Sequence, residues 1–474
     1  MPKTKPNILL LMSDQHSPRF LGCYGDETLP TPALDSLAAN GVAFDSAYCP
    51  APLCVPSRMA FLSGRHCHQI GVWNNSHILR SDIPTFAHGL GIAGYKTVLV
   101  GRMHFLGEDQ HHGFQERRLG DISPSFPARN AAIERYRDYW GSLESIQSAG
   151  PGRSHDLEFD QAVAMEACRV IYDHEVSGDP RPLCLVASFF GPHDPWKVPK
   201  RLFDRFAGLS DRLDSGETTL PPFAEEVRRA AGFDTITAEQ TCRMRDAYRA
   251  KCAFVDETIQ HVLTAFAESP LSDNAAIVYT SDHGEMAGEK GLWTKSVFYE
   301  AATRVPMIVS WPGTLPRGKH ISANVSLLDL TATLLDMGCA PEIPDMAGTS
   351  LIPLASGHGE QGNGAVFAEL GKRTIGGPCR MVRHNQWKAV FYRSLQPELY
   401  NIGEDPEEMT NLAGTSPHDR VLSDLEALAR DDGWDPNRVA RRLEQTTADI
   451  EYLSQWVRAT NPSDTIQWGL PAPL

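Results

Sequence analysis

Short apolar runs rich in β-branched residues alternate along this chain with stretches in which apolar residues recur at helical spacing. The runs predict buried strands at residues 7–12, 96–100, 183–190, 275–280 and 306–310. One helix is predicted to start at Thr31-Pro32 and to end at Gly41, and another covers residues 86–93 and ends at Gly94. Continuous apolar strands that alternate with helices indicate an α/β fold, with a mostly parallel central sheet and helices on both faces.

A polar segment directly follows each of the first four strands. The residues in these segments that can carry chemistry are, in chain order, Asp14, Gln15, Arg102, His104, His193, Asp282 and His283. In open α/β sheets, ligands bind beyond the carboxyl ends of the strands. We therefore expect the four segments to converge on one pocket.

Three of these residues have the chemistry of metal ligands. Asp14, Asp282 and His283 offer two carboxylates and an imidazole, which can hold a divalent cation if residue 54 supplies a fourth ligand and water completes the shell. Taken singly, Asp14 is more typical of a turn, Asp282 of a helix cap and Glu285 of a loop. The joint occurrence of Asp14 and Asp282 with the segment at residue 54 favours the metal site.

Composition and charge narrow the classes of function. With 474 residues the chain can form one large domain and a smaller one. Its formal net charge of −15 argues against a general nucleic-acid binder and against binding to anionic membranes. The ten cysteines are scattered without a CxxC pair, which is typical of reduced thiols in a cytoplasmic protein.

The apolar runs are too short for a membrane anchor. None approaches the roughly twenty residues that are needed to span a bilayer. The first run ends at Met12 and is followed by Asp14, so it lacks the length of a secretory signal. We therefore expect no membrane association and a cytoplasmic location.

The segment Cys54-Val55-Pro56-Ser57-Arg58 places a cysteine at the start of a short helix, beside a fixed cation. Pro56 and Ser57 suit a first helical turn, whose free amides and partial positive charge favour an anion near residue 54. A lone cysteine in such a place is more typically a buried thiol that only packs. The other nine cysteines are assigned to packing on this ground.

This pentapeptide resembles the signature of the type I sulfatases of the alkaline phosphatase superfamily, in which the cysteine is oxidised to formylglycine. The resemblance covers nearly the whole chain, because residues 397–413 are similar to the family's closing element. It implies a catalytic domain at residues 1–360 and a small C-terminal subdomain and tail at residues 361–474. The subdomain is expected to hold an antiparallel sheet, with strands near 365–370, 381–383 and 388–392, and a helix near 417–429.

The resemblance also implies a role for individual residues. Those assigned to catalysis are Cys54, Arg58, His104 and His193. Those assigned to substrate binding are Arg102, Lys295, Asn75 and Gln15. Those assigned to the metal are Asp14, Cys54, Asp282 and His283.

In the mechanism that this family uses, the formylglycine hydrate carries two hydroxyls on one carbon. One hydroxyl attacks sulfur while Arg102, Lys295 and the metal spread the developing charge. His193 protonates the leaving alcohol, and His104 then removes a proton from the second hydroxyl, which expels sulfate by breaking C–O rather than S–O. Neither serine nor unmodified cysteine can do this.

Gln15 stands where arylsulfatases usually carry a second aspartate. The exchange reduces the negative charge on the cation and resembles the branch of choline sulfatases and phosphonate monoester hydrolases. The exchange leaves calcium versus manganese open, and the expected cofactor is one divalent cation, Ca²⁺ in preference to Mn²⁺. Arg102 replaces the family's usual lysine, which keeps the charge but offers a forked contact.

The expected substrate is a small polar organic sulfate, either choline-like or sugar-like. Residues 103–114 resemble a segment of choline sulfatases, and Trp73, Trp196 and Trp293 could offer aromatic faces to a quaternary ammonium if they do not simply pack. Residues 73–75 and 467–470 resemble segments of bacterial sulfosugar sulfatases. Two other functions remain open: a phosphonate monoester or phosphodiester hydrolase with the same nucleophile, and an inactive metal-binding scaffold in which Cys54 stays a thiol.

The expected partners are a small-molecule sulfate ester, a formylglycine-generating enzyme for maturation, and further copies of this chain in a dimer or tetramer. Assembly is expected to involve residues 456–474, which follow a helix at 449–458. This tail is too irregular to fold alone and too apolar to stay in water. It is expected to dock across a symmetric interface beside a neighbour's site, or else on its own chain.

Overall fold

The computed structural model describes residues 5–125, 143–210, 219–358, 364–371, 375–460 and 468. Within these ranges the strands are β1 (Asn7–Asp14), β2 (Val42–Tyr48), β3 (Lys96–Gly101), β4 (Glu116–Leu119), β5 (Gly150–Pro151), β6 (Leu183–Pro192), β7 (Lys197–Val198), β8 (Ala275–Ser281), β9 (Arg304–Val305), β10 (Met307–Ser310), β11 (Lys319–Ser326), β12 (Val366–Leu370), β13 (Cys379–His384), β14 (Trp387–Tyr392) and β15 (Glu398–Asn401).

The α-helices in the same ranges are α1 (Pro32–Ala39), α2 (Cys54–Ser63), α3 (Cys67–Ile70), α4 (Phe86–Ile92), α5 (Leu143–Gln147), α6 (His155–Ser177), α7 (Lys200–Phe206), α8 (Pro222–Ala230), α9 (Ala238–Glu268), α10 (Glu300–Thr303), α11 (Leu327–Met337), α12 (Ile352–Ala355), α13 (Asp419–Asp431) and α14 (Pro436–Thr460). Short 3₁₀ helices cover Pro18–Phe20, Gly22–Tyr24, Phe233–Thr235, Pro270–Asn274, Glu289–Gly291 and Ser416–His418.

The central sheet has the strand order β11-β2-β10-β8-β1-β6-β3-β4, with β9 paired to β2 off this path. β1 pairs in parallel with β6 and β8, and β3 pairs in parallel with β6 and β4. β10 is antiparallel to both β8 and β2, so β2 keeps the direction of β8. The predicted mostly parallel sheet is therefore confirmed, although the run at 306–310 forms a strand of opposite direction.

Successive residues of β1 face opposite sides of the sheet and enter two separate cores. Ile8, Leu10 and Met12 pack in the core with α2, α4 and α11. Leu9 and Leu11 pack in the core with α1, α6 and α9. Helices thus cover both faces of the sheet, and this double burial explains why the strand sequence is continuously apolar.

The five predicted strands are all observed, each with ends within two residues of the prediction. The helix predicted at residues 449–458 is wrong in extent, because α14 begins at Pro436. Only a narrow stripe of α14 is buried, including Val439, Leu443 and Val457, and the charged residues between them hide the helical period. The sequence pattern therefore gave only the end of this helix.

The predicted C-terminal sheet is confirmed. It has the order β12-β13-β14-β15, and every neighbouring pair is antiparallel. Leu425 and Ala429 of α13 pack on Val382 and Leu399 of the sheet. The closing element of the sequence supplies β15. The division of the chain at residue 360 stays a prediction.

Of the tail predicted to dock, residues 456–474, the structure describes residues 456–460, which form the end of α14, and Trp468. There the indole packs on Phe159 of the same chain, with ring centroids 5.3 Å apart. The amide of Trp468 also donates to the carbonyl of Asp121 at 2.8 Å. At Trp468 the tail therefore contacts its own chain.

No helix in the described part of the chain is long and apolar enough to cross a membrane. All ten cysteines are free thiols. Burial raises the pKa of Cys184 to about 12, which leaves this thiol protonated and unreactive. The expectation of scattered reduced thiols is therefore met.

Helices α2 and α6 both end at a glycine in the left-handed backbone conformation. Gly64 has φ 66° and Gly178 has φ 64°. A β-carbon at Gly64 would lie 2.6 Å from Cγ of Met346, whereas one at Gly178 would have no atom within 4 Å. The two glycines have the same backbone conformation, but only Gly64 has a neighbouring side chain that a β-carbon would meet.

We predict that Gly178→Ala lowers the free energy of unfolding by about 1–2 kcal/mol, the usual cost of this conformation for a residue with a β-carbon. Gly64→Ala is expected to cost about 1–3 kcal/mol more, because Met346 must also move. Urea unfolding of both variants measures the difference. Equal losses would contradict the tight contact at Gly64.

Candidate active site

The polar segments that follow the strands lie together at the carboxyl edge of the central sheet. β1, β3, β6 and β8 are neighbours that run in the same direction and end at this edge. β2 points the same way, and the loop after it leads into α2, which begins at Cys54. Asp14, Arg102, His193 and Asp282, one from each of the four strand ends, are all buried here.

Four side chains of the metal-ligand type surround one point of this edge. The ligand atoms of Asp14, Cys54, Asp282 and His283 all lie within 4.8 Å of one another. Cys54 Sγ is 3.2 Å from His283 Nε2 and 3.8 Å from Asp14 Oδ1, and it occupies the place where the oxygens of an oxidised side chain would lie. Two carboxylates and an imidazole beside residue 54 suit a divalent cation, so the residues present fit a metal site.

Arg58 joins the two carboxylates of this cluster. Its Nε donates to Asp282 Oδ2 at 2.8 Å, and its Nη2 donates to Asp14 Oδ2 at 3.1 Å. Its Nη1 donates to the carbonyl of Arg102 at 2.9 Å and to Ser188 Oγ at 3.1 Å. The guanidinium is completely buried, so it fixes the orientation of both acids from beneath the site.

Positive groups keep Asp14 ionised. Its Oδ2 accepts hydrogen bonds from Arg58 and Arg102, and its Oδ1 lies 3.9 Å from His193 Nε2. Burial by itself would raise the pKa of Asp14, but the guanidinium groups of Arg102 and Arg58 lower it well below its ordinary value. Asp14 can therefore serve as an anionic ligand.

Asp121 holds the segment that carries Arg102 and His104. Its carboxylate accepts from Arg102 Nη1 at 3.2 Å and from the amides of Met103 and His104 at 3.0 and 2.6 Å. Burial, together with the neighbouring Arg102, lowers the pKa of His104 to about 3, so this imidazole is neutral. Arg102 Nη2 lies 3.1 Å from His104 Nδ1, while His104 Nε2 has no hydrogen-bond partner within the described ranges.

Lys295 links two other predicted residues. Its Nζ is 2.6 Å from His193 Nε2 and also donates to the side-chain oxygen of Gln15. His193 Nδ1 is 2.7 Å from the carbonyl of Asp194, so Nδ1 carries the proton and Nε2 accepts from the ammonium. Burial and Lys295 lower the pKa of His193 well below its ordinary value. His193 is therefore neutral in this arrangement.

Asn75 lies beside the start of α2 rather than among the charged groups. Its side-chain oxygen accepts from the amide of Val55 at 3.0 Å. This contact satisfies one of the free amides at the helix start and fixes the backbone next to Cys54. A direct role of Asn75 in substrate binding stays a prediction.

Glu285 lies in a loop, as expected, and is also a completely buried part of the site. Its carboxylate accepts from the side-chain amide of Gln15 and, at 2.7 Å each, from the backbone amides of Ala287 and Thr294. It therefore orients Gln15 and fixes the loop that leads to Lys295. The only signal for it in the sequence is its position shortly after the Asp-His pair.

The backbone of the site is strained at three positions. φ is 65° at Gln15 and 61° at both His104 and Thr294, in the left-handed region. Each of the three donates its amide to a buried carboxylate, which holds the conformation in place. Strain of this kind costs of order 1–3 kcal/mol per residue and concentrates at functional sites.

The three tryptophans considered as aromatic faces are packed in hydrophobic cores. Trp73 packs in the core with α2, and Trp196 and Trp293 pack in a core with α9. Their exposed fractions are 1%, 0% and 3%. The alternative that these three tryptophans simply pack is therefore the one observed.

Comparison with known proteins assigns this arrangement to a family. Residues 6–338 match the family model described as Sulfatase. The chain belongs to the sulfatase family. Residues 288–431 also match the model described as N-sulphoglucosamine sulphohydrolase, C-terminal, and this range includes the small antiparallel sheet.

Relatives of this sulfatase act on different sulfate esters. It is 34% identical over 432 residues to a choline-sulfatase of Rhizobium meliloti, covering 87% of this chain and 83% of the relative. It is 26% identical over 500 residues to an N-acetylglucosamine-6-O-sulfatase of Bacteroides thetaiotaomicron, covering 90% of this chain and 85% of the relative.

The sulfatase also shares its fold with solved structures. The phosphonate monoester hydrolase of Agrobacterium radiobacter matches with a TM-score of 0.75 and 22% identity, covering 90% of this chain and 95% of that one. At this identity the likeness shows the fold alone. The predicted sulfatase family and the likeness to choline sulfatases are confirmed.

Proposed function

We propose that this sulfatase hydrolyses the sulfate ester of a small polar alcohol, choline-like or sugar-like. The observation that carries the substrate class is the 34% identity to a choline-sulfatase over most of both chains. The likeness to an N-acetylglucosamine-6-O-sulfatase supports the sugar-like alternative. The buried cations around residue 54 suit an anionic head group of the size of sulfate.

The proposal includes formylglycine at residue 54 and one divalent cation, Ca²⁺ in preference to Mn²⁺. Asp14, Asp282, His283 and residue 54 would hold the cation, which supplies positive charge for an ionised hydroxyl and for the sulfate oxygens. Residue 54 is the first residue of α2, where the helix amides also favour negative charge. Arg58 would keep the two carboxylates in place.

Arg102 and Lys295 would bind the sulfate oxygens. Both are buried, and charge stabilisation is stronger where water is excluded. Lys295 donates to His193 Nε2 here, and a bound sulfate would draw the ammonium toward its own oxygens. His193 Nε2, no longer occupied by the ammonium, would then take up a proton from water and pass it to the leaving alcohol.

His104 suits the role of the base that acts second. Its ring is neutral, and its Nε2 is buried without a hydrogen-bond partner within the described ranges. A neutral imidazole nitrogen in this state can take a proton from the remaining hydroxyl of the hydrate. Gln15 and Asn75 would contribute amide groups to substrate binding beside it.

Two other functions are weighed against this one. A phosphonate monoester or phosphodiester is the second candidate substrate, because a monoanionic diester matches a sulfate monoester in charge and shape. An inactive scaffold is less well supported, since burying Arg102, Lys295 and His193 around four ligand-type side chains costs stability that a scaffold would not need.

Parallel kinetics test the proposed function. Protein carrying the modification at residue 54 is assayed on choline sulfate, N-acetylglucosamine 6-sulfate, 4-nitrophenyl sulfate and a phenyl phosphonate monoester. One of the first two is expected to exceed the phosphonate in kcat/KM by about 10²-fold or more. Preference for the phosphonate over every sulfate ester would overturn the proposal, and inactivity on all four would favour the scaffold.

His193→Ala is expected to slow an alkyl sulfate far more than 4-nitrophenyl sulfate. The alkyl alkoxide needs a proton to leave, whereas nitrophenolate does not, so the loss in kcat/KM should be about 10²–10⁴-fold for the first and small for the second. Steady-state kinetics on both esters measure the ratio. Equal losses would remove His193 from the role of general acid.

A cytoplasmic location, maturation by a formylglycine-generating enzyme and homo-oligomeric assembly complete the proposal. The nine other cysteines, all free thiols, support a reducing compartment. Tyr452 and Trp456, one turn apart on α14, are 74% and 44% exposed, which supports a contact surface on this helix.

A further inference from the structure

The loop that carries His193 is held by side chains that the proposed mechanism does not use. The name covers residues 190–195, which are the last three residues of β6 and the three residues after it. Helices α6 and α9 pack behind it. They contribute Asp156, Asp160 and Lys251, all of which are buried.

Lys251 binds the loop on both sides of Asp194. Its ammonium donates to the carbonyl of His193 at 2.6 Å and to the carbonyl of Pro195 at 2.8 Å. Its third donor goes to Asp156 Oδ2. An ammonium has three donors, so these bonds use the whole capacity of a side chain that is 0% exposed.

Asp160 binds the first part of the same loop. It lies one turn after Asp156 on α6, and its two carboxylate oxygens accept from the amides of Phe190 at 2.6 Å and Gly191 at 2.9 Å. A β-carbon at Gly191 would lie 2.8 Å from Asp160 Oδ2 and 2.6 Å from Cγ2 of Val255. The backbone of the loop is therefore pressed against both helices.

The ring of Phe190 packs against the imidazole of His193, so the fixed backbone of the loop also restrains that ring. Its centroid lies 4.7 Å from that of His193. Arg102 Cζ lies 4.6 Å and Lys251 Nζ 5.9 Å from the same centroid. His193 thus rests on an aromatic ring whose backbone is fixed by Asp160, while its own carbonyl is fixed by Lys251.

We propose that Lys251 is a positioning residue for His193, and through it for protonation of the leaving alcohol. The inference rests on the proposed function, in which His193 is the general acid. Lys251 contacts the backbone of His193 rather than its ring, so it acts by placing Nε2 and not by exchanging protons. A displacement of about 1 Å in a catalytic group costs about 10²-fold in rate, so a buried lysine at this place has a functional reason.

The test compares leaving groups in variants of Lys251. Lys251→Met keeps the length of the chain and removes the ammonium, but it leaves Asp156 buried without its partner, so the double variant K251M/D156N is made as well. In both variants kcat/KM on an alkyl sulfate is expected to fall about 10²-fold, and on 4-nitrophenyl sulfate less than about 5-fold.

Lys388→Met is the matched control. Lys388, on β14, is another completely buried lysine, and it pairs with Glu300 Oε1 at 3.0 Å and Glu408 Oε1 at 2.8 Å. Its loss is expected to lower thermal stability and to affect both esters equally. A Lys251 variant that behaves like Lys388→Met, with equal losses on both esters, would overturn the positioning role.

A third experiment tests whether the effect of Lys251 depends on His193. In a His193→Ala background, Lys251→Met is expected to bring no further loss that depends on the leaving group, because the group it positions is already gone. A further fall of about 10²-fold in kcat/KM on the alkyl sulfate in this background would overturn the inference. Lack of leaving-group dependence in His193→Ala alone would instead refute the proposed general acid, so the two failures are distinguishable.

Discussion

The Cys54→Ser variant is expected to lose sustained hydrolysis of sulfate esters, with kcat lower by at least about 10⁴-fold. Serine keeps an oxygen at the start of α2 and can attack sulfur once. It has one hydroxyl on its carbon, however, so it cannot expel sulfate by breaking C–O as a formylglycine hydrate can. Mass spectrometry of the peptide that ends at Arg58 should show retained sulfate in the variant, and a carbonyl in place of sulfur in the wild type.

Cys67→Ser is the matched control for this substitution. Cys67 is buried and is also the first residue of a helix, and its Sγ lies 3.8 Å from the carbonyls of Pro50 and Pro56. A serine there can keep these contacts, so turnover is expected to stay close to that of the wild type. Sustained turnover by Cys54→Ser, or an unmodified thiol in fully active wild-type protein, would refute the nucleophile assignment.

The ends of the strands could be predicted because a buried parallel strand is a continuous apolar run that stops where the sequence becomes polar. β1 is apolar up to Met12 and then turns polar, and β8 does the same before Asp282. Neighbouring parallel strands end at one edge, which makes residues far apart in the chain adjacent. The amide of Gln15, for example, donates to Asp282 Oδ1 at 3.0 Å across 267 positions.

The residues that hold the site together could not be predicted in the same way. Asp121 and Lys251 lie outside the polar segments that follow the predicted strands, and Glu285 lies in such a segment but is marked by the sequence only as a loop residue. Their partners depend on how helices and loops pack: Lys251 contacts Asp156 over a separation of 95 positions and His193 over 58. A single lysine within a helical pattern predicts a solvated side chain, and only the packing of α9 against the loop buries it.

The Asp14→Asn variant is expected to lose the bound cation together with activity. Asparagine keeps the shape of Asp14 but lacks its charge, and Arg58 and Arg102 would then repel a cation that the remaining ligands hold weakly. After dialysis, the metal content measured by elemental analysis is expected to be well below about one ion per chain. kcat/KM is expected to fall by about 10³-fold or more, because the charge that stabilises the reacting oxygens is lost.

Asp256→Asn separates the loss of a ligand from the loss of a buried carboxylate. Asp256 is buried like Asp14, but among the described residues its oxygens accept only from the amides of Ala33 and Leu34, at 3.1 and 2.9 Å. Its replacement is expected to lower stability and to leave the metal content unchanged. If Asp14→Asn instead keeps a full complement of metal and normal turnover, Asp14 is not a ligand and the proposed metal site is wrong.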